Sequence, residues 1–190
     1  VAAEDVITLD DALDHLNYES PTSAEQAEIG VHVTAASQAV DYFVGPVIVR
    51  EFTDYEVCGR YSLVLDRRPV VDLVSITPCD GGSALDVDGY RVVPNAGLVR
   101  PLAGGRLRGG PFDVVYTAGH AADVGVVPEA LALACRIIVA HLWQTQRGAT
   151  LGPQPGAFGE DLATGSGGSG YAIPYRARDL MAPFRTVAVA

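Results

Sequence analysis

The sequence predicts an α+β protein: a small helical bundle, three main helices plus a short C-terminal helix, with an antiparallel β insertion. Three observations predict it. Residues 9–17 and 24–44 carry apolar side chains at spacings of three and four, the helical period. Residues 47–119 change to short runs rich in β-branched and aromatic residues, parted by turn clusters such as "DGG" and "PNAG". Residues 128–147 return to helix, opened by Pro128 and closed by Gly148. A chain of 190 residues is expected to form one domain with a core that needs no staples. Within 1–190 the helical part covers 1–46 and 120–147, and the β insertion covers 47–119. A Gly-rich loop spans 148–170 and a tail spans 171–190.

The first helix is expected at about 9–17. Thr8, with Asp11 three residues later, has the capping-box spacing, and Leu9, Ala12, Leu13 and Leu16 form its apolar stripe. The second, at 24–44, starts at Ser23 with Gln26 as its capping box. It carries Ile29, Val33, Ala36, Val40 and Phe43 inward and ends at Gly45–Pro46. Strands are expected in "VIVREFTDYEV", "YSLVLD", "VVDLVSIT", "YRVV", "GLVRPL" and "FDVVYTAG", mostly antiparallel.

The helix at 128–147 is apolar nearly all round. Val127, Leu131, Ala134, Ile138 and Leu142 form one face, and Leu133, Ile137, Ala140 and Trp143 form another; Arg136 and His141 interrupt. Such a helix must be buried on more than one side. Two burials satisfy this: a sandwich inside its own chain, or one face in the subunit and one against a neighbour.

Charge narrows the function classes. The net charge is −10, every one of the 13 basic residues is an arginine, and residues 1–45 hold nine acids and no arginine. Such a segment disfavours nucleic acid as a ligand; it also serves as a solvated helical face. No apolar run is long enough to span a membrane, and "VAAEDVITLDD" lacks the features of a signal peptide. Cys58, Cys79 and Cys135 are odd in number and far apart, so they read as reduced thiols of a cytosolic protein. Cys135 reads as a core residue.

Catalytic motifs fail on inspection. Gly165, Gly167 and Gly170 match G-x-G-x-x-G but sit in a Gly/Ser linker. "DVDG" at 86–89 lacks the glycine and closing glutamate of a calcium loop and reads as a turn. No nucleophile elbow and no zinc spacing occurs, and His15, His32, His120 and His141 are scattered. The arginines of "GGRLRGG" at 104–110 fit a solvated loop better than a phosphate site. No catalytic residue, cofactor or metal ligand is assigned, and the expectation is a protein that is not an enzyme.

The order of features resembles the head–tail connector (adaptor) proteins of long-tailed bacteriophages. The resemblance rests on "ITLDDALDHLN", "AASQAVDYFVGPVIVR", "RPVVDLVSIT", "FDVVYTAGH", "VPEALALACRIIVAHLWQTQRG" and "GYAIPYRARDLMAPF", in that order. It covers nearly the whole chain. The long 47–119 region and the Gly-rich loop exceed the shortest members. The resemblance implies a homo-oligomeric ring, about twelve copies closed by heterologous contacts. That ring lies in the virion neck, between the portal protein and a downstream neck or tail-completion protein. DNA would pass through it without specific binding, and no membrane is involved. The family supplies no catalytic residues to carry over. A different class stays open: a soluble module binding a protein or small ligand through its β region.

The tail holds the candidate partner interface. Tyr171, Ile173, Tyr175, Arg176, Arg178, Leu180, Met181 and Phe184 place apolar anchors around two arginines, and a short helix is expected after Pro174 and before Pro183. The expected partner is the portal, with the arginines meeting acidic groups and "TVAVA" available for strand addition. The alternative is that the tail folds back on its own helices.

Overall fold

The computed structural model describes residues 4–107, 110–147 and 173–185. The Gly-rich loop, Tyr171 and "TVAVA" lie outside the described residues. The chain divides into two compact units: a helical one, Val1–Phe43 with Pro128–Phe184, and a β one built on Val44–Val127. The predicted α+β class is the observed one.

The helical unit contains α1 (Leu9–His15), α2 (Ser23–Val44, whose last residue belongs to the β unit), α3 (Glu129–Arg147) and α4 (Tyr175–Met181). A single 3-10 turn, Ala182–Phe184, follows α4. The Thr8–Asp11 capping box forms as expected. Thr8 Oγ1 accepts from Asp11 N at 3.0 Å, and Asp11 Oδ2 accepts from Thr8 N at 3.0 Å, so two helix-end donors are satisfied. At the other end Asn17 takes a left-handed conformation (φ 51°). Tyr18 N donates to Leu13 O and Asn17 N to Asp14 O, both at 3.1 Å. This is a Schellman closure with asparagine in the usual glycine place.

The second capping box differs from expectation. It lies one residue earlier, at Thr22 and Glu25: Glu25 Oε2 accepts from Thr22 N at 2.9 Å, and Thr22 Oγ1 accepts from Glu25 N at 3.3 Å. Gln26 instead reaches back to the Pro21 carbonyl at 3.4 Å. A carboxylate accepts a backbone N–H with charge assistance that an amide lacks. Glu25 is tied further by Tyr18 Oη, which donates to its Oε1 at 2.6 Å. Gly45 follows α2 with φ +91°, and a β-carbon there would collide with the Arg68 carbonyl oxygen, so both conformation and space require glycine.

In the helical core Ile29, Val33, Ala36 and Val40 of α2 are fully buried, as are Leu131, Ala134, Cys135 and Ile138 of α3. On α3 the rows 131–134–138 and 132–135–139 are buried. Leu133, Ile137, Ala140, Leu142 and Trp143 are half-buried. The helix therefore buries a broad face within its unit and leaves part of its apolar surface in reach of water.

The β unit contains β1 (Arg50–Val57), β2 (Leu63–Val64), β3 (Val70–Pro78), β4 (Tyr90–Val93), β5 (Leu98–Pro101) and β6 (Phe112–Ala118). All six fall in the expected segments, and every strand pair is antiparallel. They form two three-stranded sheets, β1-β6-β3 and β2-β5-β4. Residues 60–75 contain strand and no helix. "DVDG" closes a 3-10 turn, in which Asp86 Oδ1 accepts from Asp88 N at 3.2 Å.

The central strand β6 alternates cleanly. Phe112, Val114, Tyr116 and Ala118 are buried, while Asp113, Val115 and Thr117 are half-buried. Its inner face shares one core with Leu63 and Val99 of the second sheet, with Leu65 just after β2, and with Val70, Leu73 and Ile76. Tyr116 stands opposite both Phe52 and Leu73. Its hydroxyl accepts from Arg67 N at 2.9 Å and donates to Asp54 Oδ2 at 3.0 Å, so its polar end is satisfied inside the core. Burial, above all, pushes the phenol's pKa far up.

Candidate interaction surfaces

Because α4 is only seven residues long, what it does depends on which side chains it turns inward. Ala177 and Met181, four apart, are fully buried in the helical unit, and α4 packs against α3. Ile173, Leu180 and Phe184 are half-buried, and Tyr175, Arg176 and Arg178 are exposed. The Arg178 guanidinium lies 6.0 Å from both the Phe43 and the Tyr175 ring centroids, within cation–π range. Of the eight predicted tail residues, the outward group is thus Tyr175, Arg176 and Arg178. Met181 serves its own core. The Ala177–Met181 spacing carried that signal in the sequence, but arginines at 176 and 178 masked it.

The other open surface of the helical unit runs along α2. Ala27, Gly30, Val31, Thr34, Ala35 and Gln38 of α2 line a shallow open groove with Leu9, Ser23 and Gln26. Val31 is 67% and Tyr42 93% exposed. None of these residues is charged, whereas Glu25, Glu28 and Asp41 lie on the half-buried flanks of the same helix.

Buried polar groups behind these surfaces are structural. Ser37 Oγ accepts from Val6 N at 2.9 Å, and it hydrogen-bonds Cys135 Sγ at 3.7 Å. Burial pushes the Cys135 thiol up to about 12, which keeps it protonated and inert as a nucleophile. Thr34 Oγ1 donates to the buried Asp5 carboxylate at 3.1 Å. His32 is buried beside Trp143, ring centroids 6.1 Å apart and edge-on, and Trp143 meets Tyr18 in the same way at 6.0 Å. His32 Nε2 has no hydrogen-bond partner among the described residues. Burial lowers the His32 pKa, against a smaller raising effect of Glu28. Arg136 pairs with Asp11 at 3.6 Å, so the charge inside the apolar helix is answered from α1.

Among the described residues no group of three or more His, Cys, Asp or Glu side chains is placed to hold a metal ion. No described helix is long and apolar enough to cross a membrane.

No protein-family model matches the chain, and no curated protein matches it. Solved structures do. The fold is similar to a chain in the neck of an empty GTA particle computed with C6 symmetry: TM-score 0.69, 21% identity, covering 100% of this chain and 95% of the other. It is also similar to a chain in the neck of a native GTA particle computed with C12 symmetry, with TM-score 0.67 and 20% identity over 100% and 95% of the two chains. A chain of the virion of a native gene transfer agent particle matches with TM-score 0.67 and 22% identity, over 97% and 92%. At these identities the likeness establishes the fold.

Proposed function

We propose that the chain is a structural, non-catalytic subunit of a head–tail connector: a ring in the neck of a phage-like particle, between portal and tail, through which DNA passes. The observation that carries this reading is the fold likeness along the full chain to a chain in the neck of a GTA particle computed with C12 symmetry. The ordered motifs of the sequence point the same way. A ring of about twelve copies follows from that symmetry by analogy. Each copy then offers its neighbours two different surfaces, which suits a helical unit with an uncharged α2 face and a half-buried apolar row on α3.

In this reading the outward side of α4 meets the portal. Tyr175 anchors, and Arg176 and Arg178 pair with portal carboxylates. The acids of 1–45 keep the ring from adhering to DNA. The test is co-expression with the portal of the same particle, followed by electron microscopy. A ring of this chain beneath the portal is expected. A chain that never associates with portal or particle overturns the reading, and it favours the soluble β-region module, for which Val71, Val74 and Tyr55 supply exposed apolar surface.

A further inference from the structure

The β unit carries a cluster that the proposed portal contact does not use. Tyr61 is 56% exposed, and two arginine side chains stack on its ring. The Arg60 guanidinium lies 5.8 Å and that of Arg106 5.9 Å from the ring centroid. Arg106 Nε also donates to Tyr61 Oη at 3.4 Å. The two segments are tied through the backbone, with Leu107 N donating to Arg60 O at 2.9 Å. Both arginines are exposed, and neither meets a carboxylate among the described residues. Acids outnumber bases in this chain, 23 to 13, yet these two arginines sit together without one. The ring contacts restrain both guanidinium groups, and arginine N–H donors of exposed side chains suit carboxylates.

The complementary feature lies on α1. Asp10 and Asp14 are exposed and four residues apart on one helix face, so the two carboxylates repel each other. Neither has a cationic partner among the described residues. Asp11 between them is taken by Thr8 and Arg136. Residues 1–45 hold no arginine that could answer them.

We infer that the Arg60–Tyr61–Arg106 cluster of one copy docks on the Asp10–Asp14 face of the next copy in the ring. The inference rests on the ring reading above. Copies that each carry −10 repel, and a contact where opposite charges meet offsets that repulsion beside the uncharged surfaces of the ring. The cluster and the α1 face are unmatched sets of opposite sign on the same chain. The contact supplies register and association rate more than bulk affinity.

The experiment uses the full chain assembled on its portal. Three variants are compared with the parent: Arg60→Glu with Arg106→Glu, Asp10→Arg with Asp14→Arg, and all four changes together. All four sites are exposed, so every variant should fold; Asp10 lies in the first turn of α1, so its reversal is expected to lower the midpoint slightly, and thermal unfolding measures that separately from ring occupancy. Each double reversal is expected to lower ring occupancy on the portal about tenfold, and the fourfold exchange to restore it to within about twofold. Rings that form equally well with either double reversal, or a fourfold exchange that restores nothing, overturn this contact and leave the ring reading standing. A parent chain that forms no ring overturns the ring reading and this contact with it. Retention of the parent, but not of Arg60→Glu with Arg106→Glu, on a duplex-oligonucleotide column at physiological salt assigns the cluster to DNA and overturns the inference.

Discussion

Met181→Ala trims a fully buried side chain back to its β-carbon at the point where the tail helix enters the helical core. Burial of this kind is typically worth about 2–5 kcal/mol on truncation. A seven-residue helix near the chain end can close partly over the gap, which places the expected loss at about 2–3 kcal/mol. For a protein of this size that is a fall of about 4–12 °C in the unfolding midpoint of the helical unit. The assay is thermal and urea unfolding followed by far-ultraviolet circular dichroism. Tyr175→Ala is the matched control. Its side chain is 69% exposed, so stability should change by no more than about 0.5 kcal/mol. Under the proposed function the same change weakens association with the portal by about tenfold. The two variants separate packing from docking. A Met181→Ala protein as stable as the parent would refute the packing argument and return the whole tail to a partner. Removal of everything after Gly170 should, for the same reason, destabilise the helical unit as well as block assembly.

Tyr116→Phe removes a hydroxyl that both accepts from Arg67 N and donates to Asp54, so a cost of about 1–3 kcal/mol is expected in β-unit unfolding. Loss below a few tenths would mean that water replaces both bonds. Thr8→Ala should cost about 1 kcal/mol through the lost capping box, read as faster amide exchange at the start of α1. At Gly45, alanine meets both a left-handed backbone and the Arg68 carbonyl, and a soluble Gly45→Ala protein with the parent's midpoint would contradict the geometry. The folded His32 pKa lies below the unfolded value near 6.5, so the unfolded chain binds more protons below that pH. Its contribution is nil above pH 6.5 and turns destabilising as pH falls from there toward the folded pKa. The midpoint of the helical unit should therefore drop between pH 7 and 5 with a shallower slope in His32→Gln, and identical slopes would exclude His32 as the source.

What the sequence alone determined is whatever local physics decides. Helix period, the Thr8 capping box, the turn glycines and the β-branched runs act within a few residues, so the order of helices and strands is legible in the sequence, while their limits shift by a few residues: α1 ends at His15 rather than about 17, and the "YSLVLD" run shortens to Leu63–Val64. Even the misplaced capping box at α2 missed by one residue, because Ser23–Gln26 and Thr22–Glu25 share the same spacing and only the stronger carboxylate acceptor, tied to Tyr18, separates them. For the tail, sequence spacing does not say which side chains turn outward. Tyr175, Arg176 and Arg178 face outward as a contact surface requires, whereas Met181 and Ala177 turn inward. That division depends on how α4 lies against α3, a contact between segments far apart in the chain. The pairing of β6 between β1 and β3, the Tyr116 bonds to Arg67 and Asp54, and the stacking of Arg60 and Arg106 on Tyr61 are of the same kind. Only the tertiary structure decided them, because their free energy comes from long-range packing and charge placement, which residue spacing does not encode.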